Sequence, residues 1–210
     1  MRDVKYRALC KEDYERIKEL ICTAFGFNEF IKDKDVLDKV LTIYLEGCIL
    51  DSTFSKVCVK DNKVIGIILG KAKSDPVKIK KFHNRFNYLT TLTKLIFINK
   101  ENKKLIKEFS KVTETYKEII KGKEDSFDGC IQLFIVSEES RGLGVGKALV
   151  KSLLQYMDKM KVKSLYLYTD TRCNYGFYDS QNFKRINEKR IKFDRANSDL
   201  DVFLYSYKLS

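Results

Sequence analysis

The chain has 210 residues, 44% of them hydrophobic, one proline and a formal charge of +12. That length can bury a sizeable core and points to a single domain over 1–210, which excludes a disordered chain. No apolar run reaches the roughly 18–20 residues of a membrane span, and Met1-Arg2-Asp3 starts no signal peptide.

Val4–Leu9 is predicted as a first strand, followed by helices over Asp13–Phe25 and Asp35–Glu46. Their apolar stripes are Ile17, Leu20, Ile21, Ala24 and Val36, Leu37, Val40, Leu41, Tyr44. Phe54–Val59 and Val64–Leu69 are strands around the turn Lys60-Asp61-Asn62-Lys63, and Ser74-Asp75-Pro76 ends that unit. Two further stripes, Phe82 to Ile96 and Leu105 to Ile119, predict a helical hairpin over 77–124 turning at Asn99-Lys100-Glu101-Asn102. That segment holds thirteen basic and five acidic residues, +8 of the total charge. Strand 128–136, helix 147–160, strand 164–169, a short helix and strands near Lys189–Phe193 and Val202–Leu209 complete the chain. The six cysteines are scattered with no C-x-x-C pair, and His83 is the one histidine, so no metal site is expected. Such cysteines read as reduced thiols of a cytoplasmic protein.

The stretch richest in chemistry is Arg141-Gly142-Leu143-Gly144-Val145-Gly146-Lys147. A β-rich run, Cys130–Val136, precedes it, and a helix with Leu149, Val150, Leu153, Leu154 and Met157 on one face follows. Strand, glycine turn and helix together make an anion site, because the free amides of the first helical turn point at a phosphate. The loop is not a Walker A motif, since Arg141 and Ala148 stand where glycine and Ser/Thr are needed. It is one residue short of the dinucleotide fingerprint G-x-G-x-x-G.

It does fit Arg/Gln-x-x-Gly-x-Gly/Ala, and Val136–Leu149 resembles the pyrophosphate loop of the GNAT N-acetyltransferases along its whole length. Asn174–Phe183 resembles the same family's short helix with Phe-Tyr, here Phe177-Tyr178, except that Asn182 stands where the family has glycine. Asn is the non-glycine residue best suited to the left-handed position that such a glycine takes. The specific motifs cover 128–185. The resemblance implies an α/β (α+β) fold, a mixed, mostly antiparallel sheet flanked by helices, with the hairpin inserted between the third and fourth strands.

It further implies acetyl-CoA as cosubstrate, held by Arg141, Gly142, Leu143, Gly144, Val145, Gly146 and Lys147. Backbone pairing from Phe134, Ile135 and Val136 and a contact from Asn174 would hold the rest, though Asn174 could equally cap its helix. Tyr178 is the expected proton donor to the departing sulfur, against the plainer reading of a packed aromatic. The general base is open: Gln132 is an amide, and Asp128, Glu138 and Glu139 are near it without fixed direction. Cys173 lacks a histidine partner for nucleophilic work, and His83 on a basic helix reads as structural. The expected activity is direct acetyl transfer to a primary amine in a ternary complex, the acceptor being a small molecule or a peptide. The alternative is a non-catalytic acetyl-CoA-binding or RNA-binding module on the same fold. No membrane partner is expected, nucleic acid is disfavoured because the hairpin's aromatics lie on its apolar stripes, and a homodimer is left open. The hairpin is expected near the start of the fourth strand, away from the pyrophosphate, as a wall of the acceptor site or a subunit contact.

Overall fold

Seven strands form one sheet in the order β1-β2-β3-β4-β5-β7-β6 in the computed structural model, which describes residues 4–77, 79, 100–193 and 198–209. The strands are β1 (Val4–Arg7), β2 (Phe54–Lys60), β3 (Lys63–Ala72), β4 (Gly129–Val136), β5 (Ser164–Asp170), β6 (Lys184–Phe193) and β7 (Ser198–Lys208). All neighbours run antiparallel except β4 and β5. Helices α1 (Tyr14–Phe25), α2 (Phe27–Phe30) and α3 (Lys34–Leu50) follow β1. Helix α4 (Lys100–Ile120) lies between β3 and β4, α5 (Val145–Lys159) follows β4, and α6 (Gly176–Ser180) follows β5.

Local chemistry accounts for the boundaries. Asp33 caps α3 by accepting from the amides of Asp35 (3.0 Å) and Val36 (3.2 Å). Gly26, at φ 65°, ends α1 in the left-handed conformation and turns the chain into α2. The β2–β3 turn puts Asp61 (φ 49°) and Asn62 (φ 62°) in the left-handed region, the geometry whose twist matches a two-residue hairpin. Helix α5 buries Val145, Leu149, Val150, Leu153 and Met157, the expected stripe, against β2 and β3. It comes so close that a Cβ at Gly70 would stand 2.4 Å from Leu153 Cδ1, so a side chain there would force the Leu153 methyl aside.

Alternation along β5 shows which helices share a face. Leu165 and Leu167 join the α5 core, whereas Tyr166 and Tyr168 pack with Ile119, Tyr116 and Val112 of α4. Cys130, the partner of Tyr166 in β4, and Lys71, its partner in β3, point to that same side, as do Leu69 and Leu133 beneath α1 and α3. Helices α1 and α3 therefore cover one half of this face and α4 the other half.

Several expectations need correction. The fourth helix starts at Lys100, so Lys100, Glu101 and Asn102 are helical and not a turn; the hairpin's first helix and His83 lie outside the described residues. Helix α3 runs on to Leu50 because Leu45 and Ile49 still face the core. β6 starts at Lys184, five residues before the expected 189, since its nearly all-exposed side chains carry no hydrophobic signal and β7 alone sets its register. Asn182 has φ 63°, the left-handed position predicted for it.

Candidate active site

β4 ends at Val136, and two serines fix the chain that follows. Ser137 donates its amide to the Ile65 carbonyl (2.8 Å), and the buried Ser140 hydroxyl reaches the carbonyls of Ser137 (2.6 Å) and Ile65 (3.2 Å). The Leu143 amide bonds to the Ser140 carbonyl (3.2 Å), with Gly142 at φ 78° and Gly144 at φ 70°. A Cβ at either glycine would meet nothing within 4 Å, so the loop borders open space. The first helical bond of α5 runs from the Ala148 amide to Gly144 (3.0 Å), which leaves the amides of Val145, Gly146 and Lys147 ahead of it. This geometry suits a pyrophosphate: converging amides at the positive end of a fifteen-residue helix, with no side chain in the way. Arg141 is exposed and pairs with Glu138 (2.7 Å), a surface contact worth at most about 1 kcal/mol.

The second feature is a split in the sheet. β4 and β5 pair only at Gly129–Leu165 and Cys130–Tyr166. The β3–β4 register passes from Leu69–Leu133 to Gly70–Ile131 and skips Gln132, which is therefore a bulge. Beyond the bulge, β4 stays paired with β3 up to Val136 while its other edge loses β5. The Ser137 amide points toward β3, so alternation turns the backbone groups of Phe134 and Val136 to the free edge and those of Ile135 toward β3. Of the three residues expected to pair with a pantetheine arm, two are placed to do so through their backbone.

Tyr178, on α6, is 7% exposed, ringed by Phe134, Phe177, Phe183 and Tyr205 at 5.7–6.2 Å between centroids. Its hydroxyl makes no hydrogen bond to a described residue. Burial, then the nearness of Cys173 and Asp170, raises the phenol pKa well above its usual value, so the proton stays on oxygen at neutral pH. Asn174 is exposed and makes no capping bond; Tyr175 stands at the start of α6 instead.

On the opposite face, α3 and α4 flank the split. Tyr44 and Cys48 come from α3, and Tyr116 from α4 stacks on Tyr168 of β5 (4.2 Å, 7° between planes). Asp170 ends β5 on this face, 6% exposed, with Cys173 one turn further on. Tyr44, Tyr116, Tyr168, Cys48 and Cys173 are half-buried, and the fields of Asp170, Cys48 and Cys173 reach both Tyr44 and Tyr116, so these side chains gather about the cleft that the split opens on this face. Burial raises the Tyr44 and Tyr116 phenols well above normal and pushes the Cys48 and Cys173 thiols up to about 12. Neither cysteine is a thiolate at neutral pH.

The sequence reading missed this cleft, since its residues come from four elements. A carboxylate ending a strand, Thr169-Asp170, was the one available signal. The acids it did weigh are occupied elsewhere. Asp128 accepts from the amides of Lys163 (2.9 Å) and Ser164 (3.3 Å), Glu138 pairs with Arg141, and Glu139 pairs with Arg16 (3.0 Å) and Lys63 (3.3 Å). Gln132 donates to Cys130 Sγ (3.4 Å). Helix α4 joins β4 at that strand's start, through the short turn Glu124–Ser126, and the glycine loop lies at the other end.

Known proteins agree with this architecture. The family model of the acetyltransferase (GNAT) family matches residues 14–183. An apo agmatine N-acetyltransferase is similar at TM-score 0.58 and 11% identity, over 99% of this chain and 100% of that one. An N-acetyltransferase from Staphylococcus aureus Mu50 is similar at 0.57 and 15% over 99% of each chain. Ard1 from Thermoplasma volcanium is similar at 0.54 and 15%, over 99% of this chain and 98% of that one. No curated protein sequence matches. Among the described residues no helix is long and apolar enough to cross a membrane. The chain belongs to the GNAT acetyltransferase family.

Proposed function

We propose that this protein moves an acetyl group from acetyl-CoA to the primary amine of a small-molecule or peptide acceptor, directly, in a ternary complex. The observation that carries this reading is the split sheet. A free β4 edge at Phe134 and Val136 leads straight to the open amides of the glycine loop, with Tyr178 alongside. An extended arm can pair with that edge as an added strand while its phosphates meet the helix terminus.

Acetyl-CoA supplies a thioester whose carbonyl carbon is attacked by the amine and whose sulfur departs needing a proton. The protein's part is positioning, electrostatics and proton handling. Backbone amides along the free edge polarise a carbonyl placed beside them. Tyr178 holds its proton at Oη. Burial also makes that phenol a weaker acid, so it donates while a positive nitrogen lies close enough to return the proton. A covalent enzyme intermediate finds no support at Cys173, whose thiol is pushed up to about 12 by burial and by Asp170. The test is CoA release from a panel of amines by the wild type and Tyr178→Phe. Turnover with the wild type and its loss in the variant are expected; equal turnover would remove Tyr178 from the role.

A further inference from the structure

One carboxylate is placed as no other described acid is. Asp170 closes β5 beside the edge that β4 leaves unpaired, is 6% exposed, and lies on the sheet face that α3 and α4 cover. The groups around it are Tyr44 and Cys48 of α3, Tyr116 of α4, Tyr168 of its own strand, Arg172 and Cys173 of the next turn, and Tyr178 of α6. One carboxylate oxygen accepts the Arg172 amide (2.8 Å). The Arg172 guanidinium itself turns away, to Glu29 (3.3 Å) and over the ring of Phe30 (4.9 Å). Asp170 thus makes no ion pair among the described residues. A buried carboxylate in that condition is costly until a cation joins it. Aromatic side chains about it make the site still more receptive to a cation.

We propose that Asp170 anchors the acceptor's ammonium group and takes its proton, while Tyr44, Tyr116 and Tyr168 wall the body of a primary amine with an apolar or aromatic chain. The proposal deepens the transferase reading and rests on it. One N–H bond of the ammonium breaks as an O–H bond forms on Asp170. The freed lone pair makes the new C–N bond while the C–S bond breaks. A second proton passes from that nitrogen to sulfur by way of Tyr178, and the proton on Asp170 returns to solvent. Amide, thiol and the starting carboxylate are then restored. Burial raises Asp170 above the ordinary carboxylate range, although the Arg172 amide, the Cys173 thiol and amide, and the Arg172 charge work against it. The net effect makes it a better base.

Asp170→Asn keeps the turn acceptor and the volume but removes the charge. With CoA present, calorimetric titration of the full chain uses 2-phenylethylamine and its neutral counterpart 2-phenylethanol. The wild type is expected to prefer the amine at least about tenfold, and the variant to lose that preference. In the CoA-release assay, kcat/KM for the amine falls roughly 10²–10³-fold, acetyl-CoA affinity holds, and the acid limb of the pH profile disappears. Should Asp170→Asn not fold, Asp170→Ser offers a smaller turn acceptor and the same readings. A variant that keeps the amine preference and the acid limb makes Asp170 a turn residue alone and overturns the proposal. A wild type that binds neither probe, or binds both equally, overturns it too. Amine binding that depends on Asp170 without any CoA release keeps the anchor and overturns both the proton transfer and the transferase reading.

Discussion

The two sides of the split between β4 and β5 are built in opposite ways. The glycine-loop side is local: Val136 to Lys147 carry the strand terminus, the turn and the helix start in one run of chain. The cleft side is assembled at long range, from Tyr44, Tyr116, Tyr168 and Asp170 on α3, α4 and β5. The chemistry divides in the same way. The loop presents backbone amides to open space, and the cleft presents half-buried, protonated phenols and one carboxylate. Backbone recognition needs glycine and helix geometry, which short sequences specify. Side-chain recognition needs a tertiary frame, which they do not.

The largest expected effect tests whether the two sides are separable. Tyr178→Phe should lower kcat roughly 10²–10⁴-fold and leave the acetyl-CoA Kd unchanged by calorimetry. A parallel loss of cofactor affinity would mean that the ring holds the groove together instead. The converse experiment is Gly144→Val. A β-branched residue at φ 70° is strained, and its side chain would enter the open space beside the amides. KM for acetyl-CoA should rise about 10- to 100-fold, while kcat at saturation stays near wild type.

A third variant checks that ordinary destabilisation looks different from either. Arg7 grips Asp13 through two hydrogen bonds (2.6 and 2.7 Å), and the Cys10 amide adds a third (3.0 Å), tying β1 to the start of α1. Burial would raise the Asp13 carboxyl, but these bonds outweigh it and hold the group below its usual value. Its stabilisation is therefore complete above the unfolded carboxyl value of about 3.9 and fades as pH falls through the lower folded value. Asp13→Ala should cost about 2 kcal/mol, a drop of roughly 4–8 °C in Tm, and change neither KM. The smallest effects belong to Arg141→Ala and Cys173→Ala. The first should weaken acetyl-CoA by a few-fold at most, since its partner Glu138 is equally exposed. The second should keep kcat within about threefold; a large loss with the appearance of an acyl-enzyme burst would replace direct transfer by a covalent route.

The same contrast governs how much was legible in the sequence. The α5 stripe, the β2–β3 turn, the glycine loop and the left-handed Asn182 rest on local spacing and backbone preference, and the structure shows each of them. The bulge at Gln132 left no trace, because a bulge is a property of two strands in register. Nor did the start of β6, whose Lys184–Lys189 face water on nearly every side chain. Asp170 was hidden for a different reason. Read in sequence, it is an ordinary turn residue after a strand. Burial beneath two helices, one of them from far upstream and one preceding β4, is what changes its chemistry. Among the described residues, α4 stands over β5, β6 and β7, at the start of β4 and away from the glycine loop.

The most direct test of the account is amide hydrogen exchange with and without saturating CoA. The split-sheet groove predicts new protection at Phe134 and Val136 on the free edge and across Gly142–Lys147 in the loop, with Ile135 already protected by β3. β6 and the exposed face of α4 should be unchanged. Protection confined to β6 and β7, or none in Phe134–Val136 at saturation, would contradict it.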